Sequence, residues 1–196
     1  GWTSDDTDAA ERVKIQYGTS MCYPVSSMGS HVSVVPNHQL NRKTPLHTRA
    51  NVAYFGTFGY ELDLNKLSDE EIREVKQQIT FMKEYRELIQ FGTFYRLKSP
   101  FEGNETAWMT VSEDKKTALV FWYRERNVVN ADFTRVRLQG LDPDLIYRNE
   151  YNETENYGDE LMNLGLLTTD CTAGEPTSED EPCTDYESRI YVLTAK

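Results

Sequence analysis

The chain has 196 residues, of which 38% are hydrophobic, 12% aromatic and 27% charged, enough for one large domain or two small ones. Its 21 basic and 32 acidic residues give a net charge of −11. That balance argues against a nucleic-acid surface, which needs a basic stripe, and against docking on anionic lipid. No run approaches the roughly 20 apolar residues of a membrane-spanning helix.

The first part of the chain mixes helical and strand-like segments. Acidic residues precede a helical pattern over residues 7–18, where the helix dipole favours negative charge. Residues 32–35 predict a short strand that ends before Pro36, and the polar residues 41–51 predict a loop. Residues 53–59 are aromatic and interrupted by glycine, which predicts a strand that another backbone or a ligand approaches closely.

The clearest single element is a long helix between Ser68 and Phe91. Ser68 is followed three residues later by Glu71, which is a capping box. Apolar residues then recur at helical spacing, and Gly92 is a natural stop. The apolar stripe comprises Ile72, Val75, Ile79, Met82 and Ile89.

From Phe94 onwards the pattern is typical of successive short strands separated by turns. The predicted strands cover residues 108–112, 117–124, 134–138, 145–149 and 189–194. Such spacing favours an antiparallel β-sandwich of roughly 100 residues. The acidic residues 168–185 predict an exposed excursion between strands. The expected fold class is therefore mixed α/β followed by all-β.

The three cysteines differ in their sequence surroundings. Cys22 lies between apolar neighbours and is predicted to be a reduced thiol in the core. Cys171 and Cys183 flank an acidic loop, where a disulfide is possible but does not follow from the sequence. The cysteines and the three histidines lack the spacing of a zinc site, so no metal is predicted.

The densest polar cluster lies at Trp2–Asp8, ahead of the first helix. It holds Asp5, Asp6 and Asp8 beside an indole. Residue types alone leave three interpretations open. The cluster is an ordinary helix cap with acidic neighbours, or carboxylates for acid–base chemistry beside an aromatic sugar platform, or part of a calcium loop that lacks its later ligands.

Several separated motifs resemble glycoside hydrolase family 36, the α-galactosidases that cleave raffinose and melibiose. They are Trp2-Thr3-Ser4-Asp5-Asp6-Thr7-Asp8-Ala9, Ile15-Gln16-Tyr17-Gly18-Thr19-Ser20, Met28-Gly29-Ser30-His31-Val32-Ser33, Pro36-Asn37-His38-Gln39, Phe55-Gly56-Thr57-Phe58-Gly59-Tyr60-Glu61, Tyr85-Arg86 and Gly158-Asp159-Glu160-Leu161-Met162. The resemblance runs along nearly the whole chain.

The resemblance implies an architecture. Residues 1–93 would be the C-terminal part of a (β/α)8 catalytic barrel, from the end of strand six to the last helix. Residues 94–196 would be the C-terminal antiparallel β-sandwich. Catalytic residues of such barrels lie at the C-terminal ends of strands, where Trp2–Asp6 would fall.

The resemblance also implies a retaining mechanism that uses two carboxylates and no cofactor. The general acid/base of the family maps to Asp5, with Asp6 as the fallback if the alignment shifts by one residue. The family's nucleophile belongs to a Lys-Trp-Asp segment, which this chain lacks. We therefore expect the parent protein to be an α-galactosidase and this polypeptide alone to be inactive.

The expected partners are α-galactoside oligosaccharides, the missing N-terminal part of the enzyme and, as often in the family, further copies of the protein. The first residues show no signal-peptide pattern, so we expect a cytoplasmic protein. The alternative is a non-catalytic β-sandwich module for carbohydrate binding or subunit contact, with the first third as a remnant of a barrel. A third possibility is a complete small protein with a function of its own.

Overall fold

A computed structural model describes residues 1–128, 133–168 and 185–196. The chain divides into two units, Gly1–Phe91 and Gly92–Lys196. The sequence places this boundary slightly later, between residues 93 and 94. Among the described residues, no helix has both the length and the apolar character needed to cross a bilayer.

The first unit alternates helices with parallel strands. In chain order its elements are α1 (Ala9–Thr19), β1 (Gly29–Ser33), α2 (Leu46–Ala53), β2 (Thr57–Glu61) and α3 (Asp69–Phe91). The two strands pair in parallel, with Gly29 opposite Thr57 and Ser33 opposite Glu61. Parallel strands need a crossover between them, and α2 supplies it. The predicted α/β class is thus confirmed for this unit.

The predicted loop over residues 41–51 is wrong, because α2 begins at Leu46. Because α2 contains many polar residues, its sequence does not show the helical spacing of apolar residues. Thr48 and Arg49 are buried, and the Arg49 Nη1 donates a hydrogen bond of 2.6 Å to the carbonyl of Ser33. The helix is therefore stabilised by partners distant in sequence, which local propensity does not reveal.

Buried polar groups and aromatic rings hold the elements of the first unit together. Gln16 on α1 donates to the carbonyl of Val52 and accepts from the Ser30 hydroxyl, both at 2.8 Å, and so joins α1, α2 and β1. Between the C-cap of α2 and α3 the rings of Tyr54 and Phe81 lie 4.7 Å apart. These contacts hold the helices against the two parallel strands, whose C-terminal ends are described below.

The predicted capping box of α3 is present. The Ser68 backbone N–H donates to Glu71 Oε2 at 2.8 Å, and the Glu71 N–H donates to Ser68 Oγ at 3.2 Å. The hydrogen bonds from Ser68, first from its backbone and then from its side chain, lower the pKa of the Glu71 carboxyl. The contribution of this carboxylate to stability is therefore present above the ordinary glutamate pKa and lost as the pH falls through the lowered value.

Ser68→Ala is expected to lower the free energy of unfolding by about 1 kcal/mol, because it removes the cap of the Glu71 N–H. The pKa of Glu71 should rise only part of the way towards its ordinary value in the same variant, because the backbone N–H of residue 68, the larger cause of the lowering, still donates to Glu71. Urea unfolding measures the first effect and an NMR titration of Glu71 the second. Ser68→Thr keeps the cap oxygen and should leave both quantities nearly unchanged. Equal stability of the alanine variant would contradict the expectation.

The prediction that Cys22 is a core thiol is wrong, because the residue is exposed. Its neighbours Met21 and Tyr23 are exposed too, at 60% and 63%. All three follow the last turn of α1, where backbone N–H groups bond back to Gly18 and Thr19 and carry the chain around the outside of the helix end. Apolar neighbours in sequence thus do not place this thiol in the interior.

The second unit is built on antiparallel strands. They are β3 (Thr93–Lys98), β4 (Glu105–Val111), β5 (Thr117–Arg124), β6 (Arg135–Val136), β7 (Ile146–Asn149), β8 (Glu155–Tyr157), β9 (Leu166–Leu167) and β10 (Glu187–Ala195), with helix α4 (Gly158–Asn163) after β8. Six strands form one sheet in the order β3-β4-β5-β10-β7-β8, and β6 pairs with β9 in a second, two-stranded sheet. The predicted all-β class is confirmed for this unit.

A buried apolar cluster of the second unit lies on one face of the six-stranded sheet. Alternate residues of β4, β5 and β10 point to that face, among them Met109, Val120 and Leu193, all fully buried. Val136, Leu161 and Leu166, from β6, α4 and β9, pack in the same cluster. The second layer of the sandwich is therefore a short sheet combined with a helix.

The predicted strands at 108–112, 117–124, 145–149 and 189–194 correspond to β4, β5, β7 and β10. The strand predicted at 134–138 is the two-residue β6. The predicted exposed excursion at 168–185 is wrong at its first residue, because Thr168 is buried and bonds to Thr134. Most of that excursion, including Cys171 and Cys183, lies outside the described residues.

Candidate active site

The polar segment that leads into α1 is ordered by bonds from side chains to backbone N–H groups. Ser4 Oγ accepts from the N–H of Asp6 at 3.1 Å, and Asp6 Oδ1 accepts from the N–H of Asp8 at 2.9 Å. Asp8 is the N-cap, since its Oδ2 accepts from the N–H groups of Ala10 and Glu11. Two of the three aspartates therefore serve the turn and the helix start.

Asp5 differs from its two neighbours. Its side chain is exposed, and its Oδ1 accepts a hydrogen bond of 2.9 Å from the indole Nε1 of Trp2. Trp2 itself is 75% exposed. The Asp5 carboxylate is thus held by a side chain at the surface of the segment, where a ligand can reach it.

The segment begins beside the start of β1, where the N–H of Gly29 donates to the carbonyl of Gly1 at 2.9 Å, and it borders a cleft that reaches the C-terminal ends of the parallel strands. Ser33 and Glu61, the last residues of β1 and β2, are register partners. Both border a small cleft next to the segment. The cleft is lined by Trp2, Thr3, Ser4, Asp6, Thr7, Arg12, Gly29, His31, Ser33 and Glu61. In α/β barrels the C-terminal ends of strands form the active-site face.

Arg12 joins this segment to the neighbouring strand. Its guanidinium donates from Nη1 to Thr3 Oγ1 at 2.7 Å and from Nη2 to the carbonyl of Gly29 at 2.6 Å. Burial lowers the pKa of Arg12, and the negative charges of Asp6 and Glu61 oppose that shift. The cleft is therefore lined by a buried cation and by two carboxylates, those of Asp6 and Glu61.

The described part of the chain contains no group of three or more His, Cys, Asp or Glu side chains able to hold a metal ion. This includes the aspartates ahead of α1. Asp8 is instead paired with Arg42 and with backbone N–H groups. The calcium-loop interpretation therefore has no ligand cluster to support it among these residues.

Two family models match the chain. The Melibiase model matches residues 1–92, and the model of the glycosyl hydrolase family 36 C-terminal domain matches residues 105–193. The chain belongs to glycosyl hydrolase family 36. The resemblance seen in the separated sequence motifs is thus confirmed.

Curated relatives of the chain include α-galactosidases. Alpha-galactosidase AgaA of Geobacillus stearothermophilus is 55% identical over 165 residues, which is 84% of this chain and 22% of AgaA. Alpha-galactosidase 1 of Pediococcus pentosaceus is 47% identical over 194 residues, which is 99% of this chain and 25% of that enzyme. The chain thus spans about a quarter of the length of these relatives.

The fold agrees with solved family 36 structures. The crystal structure of AgaA superposes with a TM-score of 0.90 at 48% identity and covers 98% of this chain and 25% of AgaA. Further crystal structures hold substituted forms of AgaA in complex with raffinose and with stachyose. The predicted class, the end of a (β/α)8 barrel followed by an antiparallel sandwich, is confirmed.

Sequence reasoning singled out the segment with Asp5 and Asp6 but missed Arg12 and Glu61 as lining residues. A signal for Arg12 exists, because it falls on the stripe of α1 that also buries Ala9, Val13 and Gln16. A charged residue on a buried stripe needs partners, which marks it for attention. Glu61 is the last residue of a strand in a parallel sheet, the usual position of functional side chains.

Proposed function

We propose that this chain is the C-terminal portion of a retaining α-galactosidase that hydrolyses terminal α-galactosides such as melibiose and raffinose. Asp5 is the general acid/base in this proposal, and the nucleophile lies in the part of the enzyme that precedes the chain. The observation that carries the proposal is the place of Asp5, an exposed carboxylate held by Trp2 in the segment that borders the cleft reaching Ser33 and Glu61. The two curated relatives described above, both named α-galactosidases, support the substrate class.

The proposed reaction has two steps. In the first, protonated Asp5 gives its proton to the glycosidic oxygen while the nucleophilic carboxylate attacks the anomeric carbon, so that a galactosyl-enzyme forms and the remaining sugar leaves as an alcohol. In the second, the Asp5 carboxylate takes a proton from water, which attacks the anomeric carbon and releases galactose. The Trp2 indole, by donating to Oδ1, would orient the carboxyl group.

Asp5 suits this role better than the fallback, Asp6. The Asp6 carboxylate accepts the N–H of Asp8 and lies in the field of Arg12, so it is already committed to the turn and to a buried charge. A proton donor must reach a glycosidic oxygen of the substrate. Asp6 lines the cleft and Asp5 does not, but the Asp5 side chain is exposed beside Trp2, which does line the cleft, and from there it can reach a bound substrate.

A chimera tests the proposal. In this AgaA chimera, our chain replaces the matched quarter of Geobacillus AgaA. We expect the chimera to hydrolyse raffinose, and we expect both this chain alone and the truncated AgaA alone to be inactive, since the two carboxylates are then on separate polypeptides. Circular dichroism and size-exclusion chromatography establish that the chimera is folded.

A folded chimera without activity would overturn the proposal, as would raffinose hydrolysis by the chain alone. The corresponding replacement in the Pediococcus enzyme, which matches 99% of this chain, provides a second host. The same samples test the expected oligomer, because chromatography reports the mass of the assembly.

A further inference from the structure

We propose that Arg12 is a positioning residue for Asp5, holding the segment that bears the acid/base against the start of β1 through Thr3. This inference rests on the proposed function. It assigns Arg12 no contact with substrate. Its role is to fix where the Asp5 carboxyl group stands relative to the strand ends.

The geometry of the guanidinium carries the inference. Two different nitrogens of Arg12 reach two different elements: Nη1 donates to the Thr3 hydroxyl at 2.7 Å, and Nη2 donates to the Gly29 carbonyl at 2.6 Å. Thr3 lies two residues before Asp5 in the same segment, and Gly29 is the first residue of β1. A planar fork of donors joins two such acceptors rigidly, whereas a lysine ammonium is a single flexible point charge.

The cost of burying this cation indicates that the bridge has a purpose beyond packing. Arg12 is only 6% exposed and shares its helix face with Ala9 and Val13. Burying a charge is unfavourable unless it is hydrogen-bonded and paired. The two hydrogen bonds, together with the negative charges of Asp6 and Glu61, meet that requirement at the cleft.

Positioning of a general acid affects the reaction selectively. A displacement of about 1 Å in a catalytic group can cost about 100-fold in rate. The loss falls on substrates whose leaving group must be protonated, such as raffinose. It spares 2,4-dinitrophenyl α-galactoside, whose phenolate leaves without a proton. A merely structural defect lowers the reaction of both substrates alike.

The test uses the AgaA chimera and two substitutions at opposite ends of the same hydrogen bond. Thr3→Val removes the hydroxyl at nearly constant shape, and Arg12→Lys keeps the charge but not the fork. For both variants we expect kcat/KM for raffinose to fall by about 10- to 100-fold, while kcat/KM for the dinitrophenyl substrate stays close to that of the unsubstituted chimera. Thr3→Ser, which retains the hydroxyl, should restore raffinose hydrolysis.

Equal loss on both substrates, or no loss on raffinose, would overturn the role of Arg12. Selective loss in Thr3→Val without selective loss in Arg12→Lys would overturn it too, because Thr3 would then act without the bridge. If Arg12→Lys fails to fold, the comparison of Thr3→Val with Thr3→Ser tests the role of the bridge. Asp5→Asn is measured in the same experiment. If this variant shows no selective loss on raffinose, the proposed function fails. If Asp5→Asn shows the selective loss but the Arg12 and Thr3 variants do not, only the role of Arg12 is rejected.

Discussion

Asp5→Asn in the AgaA chimera is expected to lower kcat/KM for raffinose by about 10²- to 10⁴-fold, the usual contribution of a positioned proton donor. The substitution is nearly isosteric. An asparagine Oδ1 still accepts from the Trp2 indole, so the local geometry remains while the transferable proton is lost. The loss for 2,4-dinitrophenyl α-galactoside should be much smaller, since its leaving group needs no protonation. Steady-state kinetics with both substrates measure the effect.

Asp6→Asn is the matched control for this experiment. Its Oδ1 also keeps its acceptor role, towards the N–H of Asp8, and only the charge facing Arg12 is removed. We expect its effect on raffinose to be far smaller than that of Asp5→Asn, because the two hydrogen bonds of Arg12 to Thr3 and Gly29 remain. The reverse ranking would show that Asp6 is the acid/base and that the assignment is shifted by one residue.

Azide provides an independent signature of the missing base. In the Asp5→Asn variant the galactosyl-enzyme formed from the dinitrophenyl substrate lacks the group that takes a proton from water. Azide attacks the anomeric carbon without needing a base, so it should accelerate turnover and give a galactosyl azide. No acceleration by azide would argue against Asp5 as the base of the second step.

Where an element is determined by residues that are close together in the sequence, the sequence predicts the structure well. The capping box at Ser68 and Glu71 predicts the start of α3, and Gly92 immediately follows its last residue. The apolar run over residues 118–123, between turn residues, predicts β5 over its full length, 117–124. These elements depend on neighbours within a few residues, which a sequence displays directly.

Elements that depend on distant partners could not be predicted in this way. The polar surface of α2 becomes favourable only when Arg49 meets the carbonyl of Ser33 and Thr48 is buried. Cys22 has apolar neighbours in sequence, yet the chain leaves α1 along its outer surface and exposes all of them. Both errors come from reading local composition as if it were tertiary environment.

In the candidate site, too, some features follow from the local sequence and others depend on residues distant in sequence. Residue types place three aspartates in one short segment but do not say which of them caps the helix, and family resemblance was needed to select Asp5. The structure separates the roles by hydrogen bonds, with Asp8 capping α1 and Asp6 closing the turn. Arg12 and Glu61 join the site only through the pairing of α1, β1 and β2, which lies beyond any local motif.

Gly158→Ala is expected to produce the largest loss of stability, about 3 kcal/mol, at the upper end of the cost of overpacking a core. A Cβ at this position would lie 1.9 Å from the carbonyl oxygen of Asp142 and 3.1 Å from the ring of Tyr147. The first of these atoms belongs to the backbone, so no side-chain rotation relieves the overlap. α4 or the turn at Asp142 must move instead.

The movement would damage a second set of contacts. The N–H of Gly158 donates to the carbonyl of Leu145 at 2.9 Å, and Leu161, on the next turn of α4, packs into the core over the six-stranded sheet. Shifting the start of α4 therefore weakens both a hydrogen bond and apolar burial. Urea unfolding of the whole chain, followed by tryptophan fluorescence, reports on this unit, because Trp108 and Trp122 are both buried in it.

Gly103→Ala is the matched control, since its Cβ would meet no atom within 4 Å and the backbone there is not left-handed. Where a glycine already has an ordinary conformation, alanine restricts the unfolded chain, so stability should stay the same or rise by up to about 1 kcal/mol. The two substitutions add the same methyl group to the same unit and differ only in what that group meets. Equal unfolding midpoints for both variants would show that the close approach of α4 to Asp142 does not hold this layer of the sandwich in place.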